Sequence, residues 1–421
     1  MANTIVNSSN GPATDGEGQG HGLGLFALAA GAFVFGAAEF VMMGILPQVA
    51  QALRVSIPLA GNFISAYAIG VCVGTLLLIF GRRIPPRSLI ILFMVIAFAG
   101  NALSAVAVNA PMMIVARFIA GFPHGAFFGT ATLIAKLLAR RGKEAQAVAS
   151  MVTGQTVANM LGVPAGTLLA EHLSWHLAFA ALAVCAVVTG VLVRVWVPFI
   201  APAADAGLAG QFAFLRKPGP WMVLVAVFVG NVGIFCWWSY VSPWLQRVGG
   251  WPNAMVSALM MLAGFGMVVG GLIGGRICDH WNPGATSALG QFVACMGLLA
   301  VFLIPGSHVS TAVLTFVISF GLFFVSAPQQ LIMAECGGLI GGAAVQIAFN
   351  FGNAVGSMVG GAVLDASHMN YHYPALSGVP FAALAVVLLV CYSRMCRAGS
   401  GTVSRWIGER LRLGHHGRDC P

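Results

Sequence analysis

Long apolar runs separated by short polar or charged connections dominate this 421-residue chain. About 20 apolar residues in helical conformation cross the hydrocarbon core of a bilayer. Twelve runs long enough to do so follow one another at 23–48, 58–80, 88–108, 111–136, 145–170, 175–198, 220–246, 254–275, 285–305, 311–334, 341–364 and 375–395. The breaks between them collect turn formers and charge, as in GRRIPPR at 81–87 and RRGKE at 140–144. The pattern predicts an all-α polytopic membrane protein with twelve transmembrane helices, and the even count returns both chain ends to one side.

Composition sharpens this picture. The chain is 59% hydrophobic and 7% charged, with a mean hydropathy of +0.90, far outside the range of soluble globular chains. A net charge of +9 would suit a nucleic-acid partner if it were clustered, but the basic residues lie between apolar runs, where they orient helices. Seventeen of the twenty Lys and Arg residues fall in the even-to-odd connections or the C-terminal tail: Arg82, Arg83 and Arg87; Lys136, Arg140, Arg141 and Lys143; Arg194, Arg216 and Lys217; Arg276; and six arginines from Arg394 to Arg418. The opposite face carries only Arg54 and Arg247. Both termini are therefore expected in the cytoplasm, and no nucleic acid is expected as a partner.

Residues 1–22 contain no Lys or Arg and read as a disordered cytoplasmic tail, and 396–421 as a basic one. The stretch 199–219, Ala/Gly/Pro-rich at first, divides six spans (23–198) from six (220–395) and reads as a cytoplasmic linker. An internal repeat supports the division. A shift of 196 places Pro47 on Pro243, Gly70 on Gly266 and Gly74 on Gly270, so that YAIGVCVG in span two overlays AGFGMVVG in span eight. A shift of 194 places Asn159 on Asn353, Gly162 on Gly356, Gly166 on Gly360 and Glu171 on Asp365. Two pseudo-symmetric six-helix halves follow.

Five segments share a further likeness: AAEFVMMGILP at 37–47, ARFIAGFPHGAFFG at 116–129, VANMLGVPAGT at 157–167, and SAPQQ at 326–330 with QIAFNFGNAVGSMVGG at 346–361. Together they resemble the AraJ-type, arabinose-inducible members of the drug:proton antiporter branch of the major facilitator superfamily, over residues 23 to 395. The resemblance implies a major facilitator fold with a midplane substrate site between the halves. It also implies exchange of a small sugar-related solute for protons. Facilitators carry a glycine, an aspartate and basic residues in the loop after span two. Here the first copy keeps Arg82, Arg83 and Arg87 without the acid, while the second, GRICD, keeps Gly275 and Asp279. The basic cluster is placed to hold its loop against helix C-termini, whose dipoles favour cations. Span five carries GVPAG, where Pro164 is expected to kink the helix and Gly162 and Gly166 to admit a neighbour; a shared packing seam accounts for it as well as an antiport role does.

Two ionisable groups interrupt the apolar spans of the first half. Glu39 lies roughly 24 Å up span one, and Arg117 roughly 9 Å down span four, at 1.5 Å per residue, so the two sit at nearly the same depth. A charge in hydrocarbon needs a partner, and a cross-helix pair is expected. It reads either as a proton site, with Glu39 loading the proton and Arg117 sensing it, or as a permanent ion pair fixing two helices. His124 follows Arg117 by seven residues, about 20° off its face on a continuous helix. It suits a proton relay or a simple cross-helix hydrogen bond. Gly121, Gly125 and Gly129 form a smooth packing track.

The second half has amides instead of midspan charge: Asn231 in span seven, Gln329 and Gln330 in span ten, and Gln346, Asn350 and Asn353 along span eleven, with Gln155 and Asn159 added from span five. Amides facing a cavity can bind hydroxyl groups, and Trp238 shares a face with Asn231 that suits a ring or sugar. Interhelical glue explains the same residues. No HExxH, paired aspartates or Ser/His/Asp set is assembled, and the nine cysteines show no metal-type pairing. The expectation is therefore a monomeric, cofactor-free secondary transporter of the bacterial inner membrane, with a small-molecule substrate, protons and lipid as its partners and the proton gradient as its energy source. Proton-coupled efflux of a small neutral or sugar-like solute leads; multidrug export and a transport-dead sensor are the alternatives.

Overall fold

Each predicted run is helical in the computed structural model of the chain, which describes residues 15–80, 84–140, 143–200 and 213–399. Arg82, Arg83, Arg141, both tails beyond these bounds and linker residues 201–212 lie outside the described residues. No strand occurs among the residues described. Eleven helices there are long and apolar enough to cross a membrane: 22–52, 57–75, 86–105, 110–138, 175–196, 218–247, 253–280, 283–303, 308–337, 340–366 and 373–396. The first helix begins at Asp15, ahead of the predicted start, because a helix satisfies its own backbone and can continue past the hydrocarbon.

The twelfth span is span five, which runs from Glu144 to His172 with Gln155, Asn159 and several hydroxyl residues lowering its hydropathy. Its helix is interrupted by a single π-helical stretch, Ala158–Gly162, directly before Pro164. The wider turn lies where proline lacks a backbone donor and accommodates that loss. Turn chemistry starts several other spans. Ser56 accepts from Leu59 N, Asn109 from Met112 N, Ser174 from His176 N and Asn282 from Ala285 N, each supplying an orphan amide at a helix start with its partner.

Between spans ten and eleven the chain folds back at GGLIGG, 337–342. A methyl group on Gly341 would strike the Met333 carbonyl, although eight residues of straight helix would separate them by about 12 Å. Lipid-facing surface is equally plain on span six, where Val184, Val187, Val188, Val191 and Val195 form one exposed stripe. Such a continuous apolar face is stable only against hydrocarbon or another protein.

Glycine seams reproduce the sequence repeat in three dimensions. In the first half Gly70 and Gly74 of span two abut the carbonyls of Phe118 and Phe122 in span four; in the second half Gly266 and Gly270 of span eight abut those of Phe316 and Phe320 in span ten. Gly162 and Gly166 of span five likewise pack on Ala37 and Val41 of span one, and Gly356 and Gly360 of span eleven on Val232 and Cys236 of span seven. Side chains larger than hydrogen would force these backbones apart.

The halves meet at the end remote from the basic connections. Ser65 Oγ donates to Ala354 O at 2.9 Å, Ser357 Oγ to Gly61 O at 2.9 Å, and Ser257 Oγ to Pro164 O at 2.9 Å. Deeper in the bundle, Phe40 beside Glu39 packs against Phe235 and Phe323, with ring centroids 6.5 and 6.2 Å away. These rings carry the apolar contact between halves through the middle of the bundle.

Candidate functional site

Span four is two helices, Ala110–Gly121 and His124–Leu138. Pro123 has no N–H to continue the ladder. Phe122 N still reaches Phe118 O at 3.0 Å, and the Pro123 carbonyl opens the next helix by accepting from Phe127 N at 2.8 Å. Phe122 and Pro123 both keep right-handed helical backbone, so the register between Arg117 and His124 carries through the interruption and both side chains face span two.

Arg117 is fully buried, and its Nη2 donates to the Ala38 carbonyl at 2.6 Å. Its Nε and Nη1 have no hydrogen-bond partner, nor has Oε1 of the buried Glu39. Depth matching brought the arginine to the peptide bond next to Glu39, but the expected direct pair is not made. The guanidinium lies over the Tyr67 ring instead, 4.4 Å from its centroid, with Phe179 5.5 Å away on another side. A ring face offers a desolvated guanidinium real attraction, about 2 kcal/mol in such settings. A carboxylate would have to be desolvated as well.

Tyr67 is the residue that sequence reasoning missed. Its hydroxyl lies 2.9 Å from His124 Nδ1 and 3.3 Å from Phe35 O, so one side chain touches both Arg117 and His124. The signal was present: one of only five tyrosines in the chain, placed midspan at the head of YAIGVCVG, where a buried phenol needs a partner. Gly121 fixes its position, because span four lies directly against the Tyr67 carbonyl. Phe35 and Phe128 enclose the imidazole with centroids 5.3 and 5.2 Å away. Gly125 and Gly129 continue the seam on Thr75 and Leu78.

Among the amides, the structure brings Asn231 against Gly352, between Asn350 and Asn353. Asn231 Nδ2 donates back to Val227 O at 2.7 Å and Asn350 Nδ2 to Gln346 O at 3.0 Å. The Oδ1 atoms of Asn231, Asn350 and Asn353 are buried without partners. Asn231 and Asn350 spend their donors on their own helices and keep their acceptors open. Asn159 sits in the π turn with both polar atoms unpartnered, and its backbone abuts Gly264 of the other half. Gln329 is buried with Nε2 unpartnered, whereas Gln346, Gln330 and Gln155 are half-buried, Gln155 against Gly36. Trp238 offers no open ring face in this conformation: it is fully buried beside Trp237, itself packed on Trp244.

The motif residues occupy the basic end. Arg87 Nη1 donates to Val197 O at 3.1 Å, the carbonyl capping span six. Asp279 is exposed beside half-buried Gly275 in the last turns of span eight. Two cavities flank the midspan rings. One of 390 Å³ lies toward the basic end between Thr75 and Leu76 of span two, Leu224 and Phe228 of span seven, and Ile347 and Phe351 of span eleven, and is almost wholly apolar. One of 460 Å³ lies at the remote end, lined by Pro47, Gln246, Arg247, Asn370 and Tyr371 among others. Among the described residues no group of three or more His, Cys, Asp or Glu is arranged to hold a metal ion.

Two pseudo-symmetric helical halves, hydrogen-bonded to each other and enclosing buried polar groups, define a multi-pass membrane transporter. The model of the Major Facilitator Superfamily matches residues 28–341, and the chain belongs to that family. It is 38% identical over 377 residues to AraJ of Escherichia coli (strain K12), covering 89% of this chain and 95% of that one. It is 29% identical over 381 residues to a chloramphenicol resistance protein of Streptomyces lividans, covering 88% and 95%. The crystal structure of a D-xylose-proton symporter shares its fold with a TM-score of 0.69 at 16% identity, over 87% of this chain and 96% of that one.

Proposed function

We propose that the protein is a proton-coupled exporter of a small neutral or sugar-like solute, working by alternating access in the bacterial inner membrane with both termini cytoplasmic. The observation that carries this reading is the pair of ionisable groups at one midspan level. Arg117 is bonded to the peptide next to Glu39, and three of their polar atoms have no partner. Such groups are costly in a membrane and mark ion pathways. When Glu39 loses its proton it becomes a stronger acceptor than the Ala38 carbonyl, and the guanidinium moves to it. When Glu39 is protonated, Arg117 stays on the carbonyl and the Tyr67 ring. The two placements favour different packings of span one on span four, so a proton biases which end of the molecule opens. Solute binds between the halves, where the open amide oxygens of Asn159, Asn231, Asn350 and Asn353 accept from hydroxyl groups. The protein acts as a monomer, with the linker 199–219 joining the rocking halves and the proton gradient as its energy source.

Multidrug export is the second reading, favoured by the apolar cavity at the basic end and by the chloramphenicol resistance relative. One experiment separates them: proton movement by purified protein in proteoliposomes challenged with pentoses, oligosaccharides, nucleosides, chloramphenicol and cationic drugs. Proton movement with the hydroxylated neutral solutes supports the first reading, and movement with the drugs alone supports the second. Solute-linked proton movement that survives Glu39→Gln unchanged removes Glu39 from the mechanism.

A further inference from the structure

We infer that Tyr67 is a positioning residue that transmits the charge state of Glu39 to His124 and thereby to the lower helix of span four. The inference deepens the proton-coupled reading and takes its functional meaning from it. Three contacts build the link. The Arg117 guanidinium lies 4.4 Å from the centre of the Tyr67 ring, the Tyr67 hydroxyl lies 2.9 Å from His124 Nδ1, and Arg117 is anchored on the peptide carbonyl adjacent to Glu39. All four side chains are buried. Beyond the hydroxyl, the imidazole packs against the rings of Phe35 and Phe128, which Phe127 backs, and these offer it no hydrogen bond of comparable strength.

The Pro123 break gives the link its use. His124 is the first residue of the helix that runs to the basic end, and the ladder between Arg117 and it lacks the bond that the Pro123 nitrogen cannot donate. Load therefore passes between the two parts of span four through side chains as well as backbone. Span two serves as the fixed member, because Gly121 and Gly125 hold both parts of span four against it on either side of the break. When Arg117 leaves the ring for a charged Glu39, the phenol loses the cation that polarises it. The hydroxyl then redistributes between its two partners, His124 Nδ1 and the Phe35 carbonyl to which it donates. The lower helix is held or released accordingly.

The test needs no substrate. The imidazole ¹⁵N resonance of His124 in the full chain, reconstituted in lipid nanodiscs, is identified by its loss in His124→Asn. It is then compared with and without Glu39→Gln in the wild-type and Tyr67→Phe backgrounds. Phenylalanine keeps the ring under the guanidinium and removes only the hydroxyl. At a pH high enough to charge Glu39 in the wild type, neutralising it is expected to move the His124 signal there and to leave it unmoved in Tyr67→Phe. An equal displacement in both backgrounds, or none in the wild type, overturns the inference. Glu39→Asn supplies the same neutralisation should Glu39→Gln fail to fold. The liposome assay decides the wider reading separately: a wild-type protein with the Glu39-to-His124 displacement but no solute-linked proton movement keeps this coupling and loses the proton-driven exporter. Where both hold, Tyr67→Phe is expected to lose proton-linked transport by roughly tenfold, the usual size of coupling between two sites.

Discussion

Ser357 donates its hydroxyl to the carbonyl of Gly61 at 2.9 Å and ties span eleven of one half to span two of the other. Tyr240 donates to the Ser357 carbonyl at 2.8 Å, and Ser65 to that of Ala354 at 2.9 Å. A buried hydrogen bond contributes about 1 kcal/mol net, so removing two should change the population of the end-closed form by roughly tenfold or more. Ser65→Ala with Ser357→Ala is expected to speed thiol labelling of a Gln246→Cys reporter in the remote cavity, with native reactive cysteines replaced. Unchanged labelling would mean that these bonds do not hold the closure.

The glycine seams predict a sharp contrast in stability. Gly121 lies against the Tyr67 carbonyl, whereas a methyl group on Gly275 would meet only Ala327 at 4.0 Å. Gly121→Val should destabilise the protein by about 1–3 kcal/mol through overpacking of backbone against backbone. Gly275→Ala should stay within about 0.5 kcal/mol. Thermal unfolding in detergent reads both, and equal melting temperatures for the two variants would refute the seam.

At Arg117, lysine retains the charge but not the planar stack. Arg117→Lys should lower stability by about 0.5–2 kcal/mol, the range of the cation–π contact it gives up. Phe179, also close to the guanidinium, provides the comparison: Phe179→Leu in the lysine background should cost less than in the wild type. Melting temperatures across this double-mutant cycle measure the difference, and strict additivity would show that the rings do not hold the cation.

Outside the spans, burial pushes the Tyr371 phenol up, and Arg247 draws it down. A phenol raised in the folded state adds stability that is fully present below its unfolded value of about 10 and is lost as pH rises through the folded value. Arg247→Gln removes the lowering influence. The tyrosinate absorbance assigned by Tyr371→Phe should then appear at higher pH than in the wild type, and the alkaline loss of stability, which sets in at the unfolded value, should become deeper. An unchanged titration would place Arg247 too far away to matter.

Legibility in the sequence followed the range of the physics. The spans were readable because the free energy of burying a residue in hydrocarbon is set residue by residue, and GRRIPPR and RRGKE marked where it fails. The repeat was readable because close helix approach demands glycine at fixed spacing, and Gly70 with Gly74 and Gly266 with Gly270 occupy equivalent seams. The level shared by Glu39 and Arg117 also came from a linear quantity, the rise per residue.

Azimuth was decided only by tertiary structure. The π turn at 158–162 shifts the register of span five, and one added residue turns a face by about 100°. Packing placed Arg117 on Ala38 O and the Tyr67 ring instead of on Glu39, brought His124 to the Tyr67 hydroxyl, and left the Asn231 and Asn350 oxygens open while their donors bonded back along the helix. The sequence determined by itself which residues lie in the membrane and at what level, because those depend on composition and length. Which of them touch depends on helix rotation and on competition among buried partners, and only the packed structure settles that.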